Sequence, residues 1–319
     1  MKNLKESTKI IGLSLLLLFP TSKIPKVKKQ DSPFLSLQGA YLGQKAPIKK
    51  SEVFLDGFIS KLTEPEMCAA FTKDGKEFYF NAQKNNLWAI FYTKEIDGKW
   101  IKPRPMAFSS HFNDRDFTMS PDGNKIFFGS NRPLQAGDAP LTALDIYMTV
   151  RKDKDNWSDP LNLGSPVNTN FGENYPSVAR NGNLYFFSCR NSGMGGCDIY
   201  VSHFKHNKYL PPENLGPTIN SHKHDWDAFI APDEAYLIFS SKDREDTIGD
   251  QDLYISFRSP QGQWSVAKNM GPKVNSTDDE ICPSVTLDGK YLFFTSRRRG
   301  QADILWIDAA IISHLKSQK

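Results

Sequence analysis

The sequence is poor in the features that would anchor it in a membrane, knit it with disulfides or draw it to a polyanion. Its longest apolar run, Ile10 to Phe19 (IIGLSLLLLF), covers ten residues. As a helix it would rise about 15 Å, against a bilayer core of roughly 30 Å. Four cysteines in 319 residues exclude a cysteine-dense scaffold. The net charge is only +4, and much of it lies in Lys23, Lys26, Lys28, Lys29, Lys45, Lys49 and Lys50. The remainder is close to neutral, so no nucleic-acid footprint is indicated. No G-x-S-x-G nucleophile elbow occurs. What is present, 39% hydrophobic and 24% charged residues, is ordinary for a globular chain with a large core.

The amino terminus has an export pattern: Lys2, Lys5 and Lys9 precede the short apolar run, and Pro20 ends it. We read residues 1–22 as a signal peptide and 23–51 as a Lys/Pro-rich linker. The expected destination is the periplasm or exterior, with no transmembrane span once the signal is removed. The first cysteine is Cys68, which excludes a lipidated cysteine beside the signal.

Repetition organises the rest. Five segments superpose: EMCAAFTKDGKEFYF from Glu66, RDFTMSPDGNKIFF from Arg115, NYPSVARNGNLYFF from Asn174, DWDAFIAPDEAYLIF from Asp225 and EICPSVTLDGKYLFF from Glu280. Each joins two apolar runs through a short turn, Asp-Gly or Asn-Gly in four copies and Asp233-Glu234 in one. Such pairs predict hairpins with φ > 0 at both turn positions, and Glu234 predicts another turn type. A third strand (LDIYMTV, CDIYVSHF, QDLYISF) and a fourth (NWSDPLNLGSPVN, KYLPPENLGPTIN, QWSVAKNMGPKVN) follow. Turn positions 74, 122, 181, 233 and 288 are 48, 59, 52 and 55 residues apart. Four strands per unit at this pitch predict an all-β, five-bladed β-propeller of four-stranded antiparallel blades over 52–312. Six blades would need a repeat that the chain does not supply. The last repeat lacks a fourth strand, and EVFLDGFIS (52–60) matches the missing pattern, so an amino-terminal strand is expected to complete that blade. Residues 313–319 form a tail.

The segments SPDGNKIFFGSNR, LDIYMTV and NWSDPLNLGSPVNT resemble the repeats of TolB-type β-propellers, exported relatives of WD-repeat propellers. The resemblance covers residues 53 to about 312 and implies the fold. The additional α/β domain of TolB has no counterpart here, so its envelope role is not implied.

Aligned on the turns, the repeats share an acid at the start of the innermost strand: Glu66, Asp114, Glu173, Asp225 and Glu280. The second strand ends near Lys84, Arg132, Arg190, Arg244 or Arg298, and the third opens with Asn86, Asp145, Asp198, Asp252 or Asp303. Each arginine is expected to lie between two acids as a structural clamp. Two residues beyond the ring acid stand Cys68, Asp116, Tyr175, Asp227 and Cys282, which are expected around the channel mouth. Arg115, Asp116, Tyr175, Trp226 and Asp227 form the candidate ligand-binding cluster. Cys189 and Cys197 flank one hairpin and are a candidate disulfide; Cys68 and Cys282 face each other across the ring closure.

The expected function is a non-catalytic module binding a protein or glycan on its loop-rich face, as a monomer, without nucleic acid. The alternative is a glycoside hydrolase using Asp116, Glu173 and Asp227 in the central funnel. Catalysis is disfavoured because the arginine partners of the ring acids should lower their pKa, although Asp116 and Asp227 lie outside those clamps. No cofactor or dedicated metal site is expected: His222 and His224 have no third nitrogen or sulfur ligand nearby. The oxygens under the acidic ring could take a calcium ion, which would compete with the arginines.

Overall fold

The computed structural model describes residues 36–318 apart from 48, 61–63, 110 and 136. The signal reading and residues 23–35 of the linker reading fall outside the described residues. The chain forms five antiparallel blades. Their inner strands are Glu66–Phe71, Asp114–Met119, Glu173–Val178, His224–Ile230 and Glu280–Val285. Blades two to four each add two full strands and a two-residue outer strand, such as Leu161–Asn162. In blade one both Lys99–Trp100 and Arg104–Pro105 pair with Leu87–Ile96.

The ring closes as the repeats require. Glu52–Val53 pairs with Asp303–Asp308 in the register Glu52 to Trp306, and the amide of Phe54 continues the ladder by donating to the Ile304 carbonyl at 2.8 Å. Sealing the seam falls to rings as much as to backbone. Phe54 is fully buried and meets Phe71, Phe78, Phe293 and Trp306 at centroid distances of 5.1–6.0 Å. Residues 39–44 also lie on this seam: Leu42 is buried, and Trp100 Nε1 donates to the Gly39 carbonyl at 3.2 Å. The helix Ala310–Ser317 buries Ile312 and Leu315 against blades four and five. No helix among the described residues is long and apolar enough to cross a membrane.

The hairpin turns differ from expectation. Only the second residue of each pair has positive φ: Gly75, Gly123, Gly182, Glu234 and Gly289. The amide of Gly75 donates to Thr72 O at 2.8 Å and that of Thr72 to Glu77 O at 3.0 Å, which describes a type I turn followed by one left-handed residue. The preceding Asp caps the turn, accepting from the Lys76 amide at 3.1 Å in blade one. Glu234 adopts the same backbone as the glycines. Its carboxylate compensates for the strain by accepting from Asn183, Tyr185 and Arg258 at 2.8–2.9 Å.

Candidate active site at the propeller axis

Two concentric sets of side chains surround the axis. The outer set is the ring of acids. Arg132 Nη2 donates to both carboxylate oxygens of Asp114 at 2.7 Å, while Ser130 Oγ donates at 2.6 Å. The same nitrogen reaches the Phe108 carbonyl at 3.2 Å. Arg190 repeats this on Glu173, with Ser188 and the Val167 carbonyl. Arg298 repeats it on Glu280, with Ser296 and the Val274 carbonyl. Arg244, one residue out of step in sequence, still meets Asp225 at 2.6 Å. The guanidinium groups also lie over aromatic rings, Arg190 over Tyr200 and Arg244 over Tyr254, both at 4.8 Å. In blade one Lys84 is exposed.

The expectation that each arginine bridges two acids is corrected by this geometry. The third-strand acids take an outer-strand asparagine instead: Asn162 for Asp145, Asn214 for Asp198 and Asn269 for Asp252, at 2.7–3.2 Å. In blade five Arg299, not Arg298, contacts Asp303, at 3.3 Å. A second asparagine six residues on (Asn168, Asn220, Asn275) ties each third strand through both its oxygen and its nitrogen. The signal was visible as the paired asparagines of NLGSPVN, NLGPTIN and NMGPKVN.

The inner set is Cys68, Asp116, Tyr175, Asp227 and Cys282. All five have left-handed backbone, with φ of 50°, 54°, 48°, 47° and 54°. At each, the ladder to the second strand slips, as between Arg115 and Thr118 or Trp226 and Phe229. A bulge of this kind re-aims one side chain out of the pleat. For a residue other than glycine it costs about 1–3 kcal/mol, a cost characteristic of functional positions. The five side chains consequently converge. Cys68 Sγ lies 2.9 Å from Cys282 Sγ and 3.8 Å from Asp116 Oδ1. Asp116 also accepts from Asn174 Nδ2 and sits 3.3 Å from Arg115 Nε. Asp227 accepts from the Cys282 amide at 3.3 Å, and the Tyr175 hydroxyl donates to the Pro283 carbonyl at 2.8 Å.

Electrostatics separates these groups. Burial, then the charge of Asp116, pushes Asp227 up to about 7, and the Cys282 amide, Arg115 and Ser240 only partly offset this. The Arg115 guanidinium is in direct contact with Asp116, its Nε 3.3 Å from Oδ2. Burial raises Cys68 to about 11 and Cys282 well above the ordinary thiol range, so both remain protonated at neutral pH. Tyr175 is pushed up by burial and stays a phenol. Cys68, Asp116 and Cys282 are the one described group with ligand atoms within 4.8 Å of one another. With two thiols, it does not offer the all-oxygen shell that calcium takes.

Of the alternative catalytic set, the structure brings Asp116 and Asp227 together, 5% and 9% exposed, and leaves Glu173 fully buried under Arg190. Tyr175, 3% exposed, is one of the residues lining a cavity of about 40 Å³. Trp226 and Arg115 are half-buried, and so are Trp88, Phe187 and Ile281, which pack against the cluster that holds Cys68, Tyr175 and Cys282. Cys189 and Cys197 form a disulfide, with Cα atoms 4.0 Å apart. His222 is exposed, and His224 stacks on Trp226.

The fold is that of a five-bladed β-propeller, and comparison with solved structures places it among others of that architecture. A glycoside hydrolase is similar at TM-score 0.56 and 10% identity, covering 83% of this chain and 92% of that one. An endo-arabinase from Bacteroides thetaiotaomicron is similar at TM-score 0.51 and 12% identity, covering 83% and 97%. TolB from Acinetobacter baumannii is similar at TM-score 0.47 and 12% identity; the match covers 76% of this chain but only 54% of TolB, about half its length. No protein-family model and no curated protein matches the sequence. At these identities the likeness shows the fold.

The expectation of a non-catalytic binding or scaffold module is corrected here. Glycoside hydrolases recur among the similar structures, and the expected lowering of the acids by arginine partners does not hold at the axis. Asp227 has no arginine fork, and burial raises it. Burial outweighs the guanidinium even inside a clamp, since Asp114 is raised despite Arg132.

Proposed function

We propose that this protein is a glycoside hydrolase whose reacting groups are Asp227 and Asp116. One observation carries the reading. Two carboxyl groups from different blades are brought to the axis by strained bulges, one protonated up to about pH 7 and the other against a guanidinium. Glycoside hydrolysis uses such a division: an acid that protonates the leaving oxygen and a carboxylate that acts on the anomeric centre directly or through water. Asp227 is the proton donor. Asp116, oriented by Asn174 and Arg115, is the carboxylate. The half-buried aromatic side chains offer apolar faces for sugar rings. Arabinose-containing glycans are the first substrates to test, because a propeller of similar fold is an endo-arabinase.

We further assign the chain to the TolB-type repeat propellers, on the repeats SPDGNKIFFGSNR and LDIYMTV. We place it outside the cytoplasm, on the Lys-rich apolar amino terminus and the Cys189–Cys197 bridge, since disulfides persist in oxidising compartments. The test is reducing-sugar release from arabinan and from a panel of other glycans, by wild type and by Asp227→Asn. Release that Asp227→Asn abolishes supports the reading. Release equal in both proteins, or none from any glycan, defeats it.

A further inference from the structure

The Cys189–Cys197 loop of blade three does more than close a hairpin. Cys197 bridges to His224 at the start of the inner strand of blade four. The Asp225 amide donates to the Cys197 carbonyl at 3.0 Å, and the Gly196 amide to the Lys223 carbonyl at 2.7 Å. The disulfide is thereby stitched to the strand that carries Trp226 and Asp227. The loop is also shaped around His224. A Cβ on Gly196 would lie 2.0 Å from His224 Cε1, so only glycine lets the imidazole come this close. The buried Nδ1 of that imidazole has no hydrogen-bond partner among the described residues. What the ring does is stack: its centroid is 4.8 Å from that of Trp226 and the planes are 6° apart. One face of the indole is thus covered by the imidazole, and Trp226, one residue from Asp227, remains partly exposed.

We infer that Trp226 is the platform on which a sugar ring of the substrate stacks, and that the disulfide loop, acting through Gly196 and His224, positions it. The inference rests on the hydrolase reading and names a binding determinant of that site. A flat indole backed on one face loses little freedom when its other face takes the apolar side of a sugar ring, and affinity gains most where such ordering is already complete. Trp226 and its backing should therefore govern KM and leave kcat to the carboxyl pair.

The experiment uses the full chain in four forms: oxidised wild type, wild type treated with dithiothreitol, Trp226→Ala and Gly196→Ala. In the treated form, exchange transfers two hydrogens to the two cystine sulfurs and leaves the reagent as its cyclic disulfide. Gly196→Ala displaces the His224 ring while keeping the disulfide. The readouts are KM and kcat on the glycan that wild type hydrolyses, and hydrogen exchange of the Asp225 and Gly196 amides. Trp226→Ala should raise KM about tenfold or more with kcat within about threefold. Reduction and Gly196→Ala should raise KM severalfold, and reduction should speed exchange at both amides. Unchanged KM in Trp226→Ala overturns the platform. Unchanged exchange and KM on reduction, with turnover intact, overturns the positioning. If wild type turns over no glycan, the hydrolase reading falls and takes the platform with it, a result distinct from either of the others.

Discussion

Asp114 and Asp116 stand two residues apart on one strand and live under different rules. Asp114 belongs to the outer collar, fully buried, with its oxygens saturated by Arg132 and Ser130. Asp116 belongs to the axial five, on a left-handed bulge, among thiols and a second carboxyl. The collar repeats in four blades with the same arginine, serine and carbonyl, which marks it as part of the fold. The axial set has a common backbone but varied side chains, which marks it as the part free to carry chemistry. Desolvation acts on both. In the collar a matched guanidinium shares each site with its acid; at the axis Asp227 has no such fork, and burial raises it to about 7.

That contrast can be tested from its largest effect downward. Asp227→Asn should lower kcat about a thousandfold, within the range expected for a general acid, while leaving the circular dichroism of the propeller unchanged. Activity needs the protonated acid, so the wild-type rate should fall as pH rises through about 7. Stability follows the same sign. The folded state holds this proton above the unfolded value of 3.8, so stability should decline as pH rises between about 4 and 7. The asparagine variant should show a shallower slope in melting temperature against pH, since Asp114 is raised as well.

Arg190→Ala should do the reverse. It leaves Glu173 buried without its cation and should cost about 3–5 kcal/mol in denaturant unfolding. If it instead abolished turnover at unchanged stability, the collar would have to be counted as part of the site. Tyr175→Phe tests an axial position outside the carboxyl pair. It removes the donor to the Pro283 carbonyl and should cost about 1 kcal/mol, with kcat retained. Lys84→Ala is expected to change stability by less than about 0.5 kcal/mol, because this blade-one counterpart of the arginines is exposed.

Blade number, ring closure by Glu52–Val53 and the acid–arginine pairing were all legible in the sequence, because each depends on a residue type recurring at fixed spacing. The bulges were not. Left-handed backbone usually announces itself through glycine or asparagine, and the axial positions are cysteine, aspartate and tyrosine, held there by neighbouring blades rather than by local preference. Glu234 misled for the same reason: three side chains supply the compensation that glycine makes unnecessary. The effect of desolvation on the acids was also hidden. Counting charged partners predicts lowered carboxyls, whereas Asp114 and Asp227 are raised by how little water reaches them. The meeting of Cys68 and Cys282, 214 positions apart, was by contrast legible once the aligned repeats were closed into a ring.

The shared bulge has a consequence for how such a centre could change over time or by design. Since all five positions already bear the backbone cost, exchanging one side chain there for another of similar size asks nothing new of the main chain. The hub behaves as five sockets on a common mount. Placing a carboxyl at 175, or an imidazole at 68, would alter what the hub can grip or cleave while the surrounding wheel stays as it is.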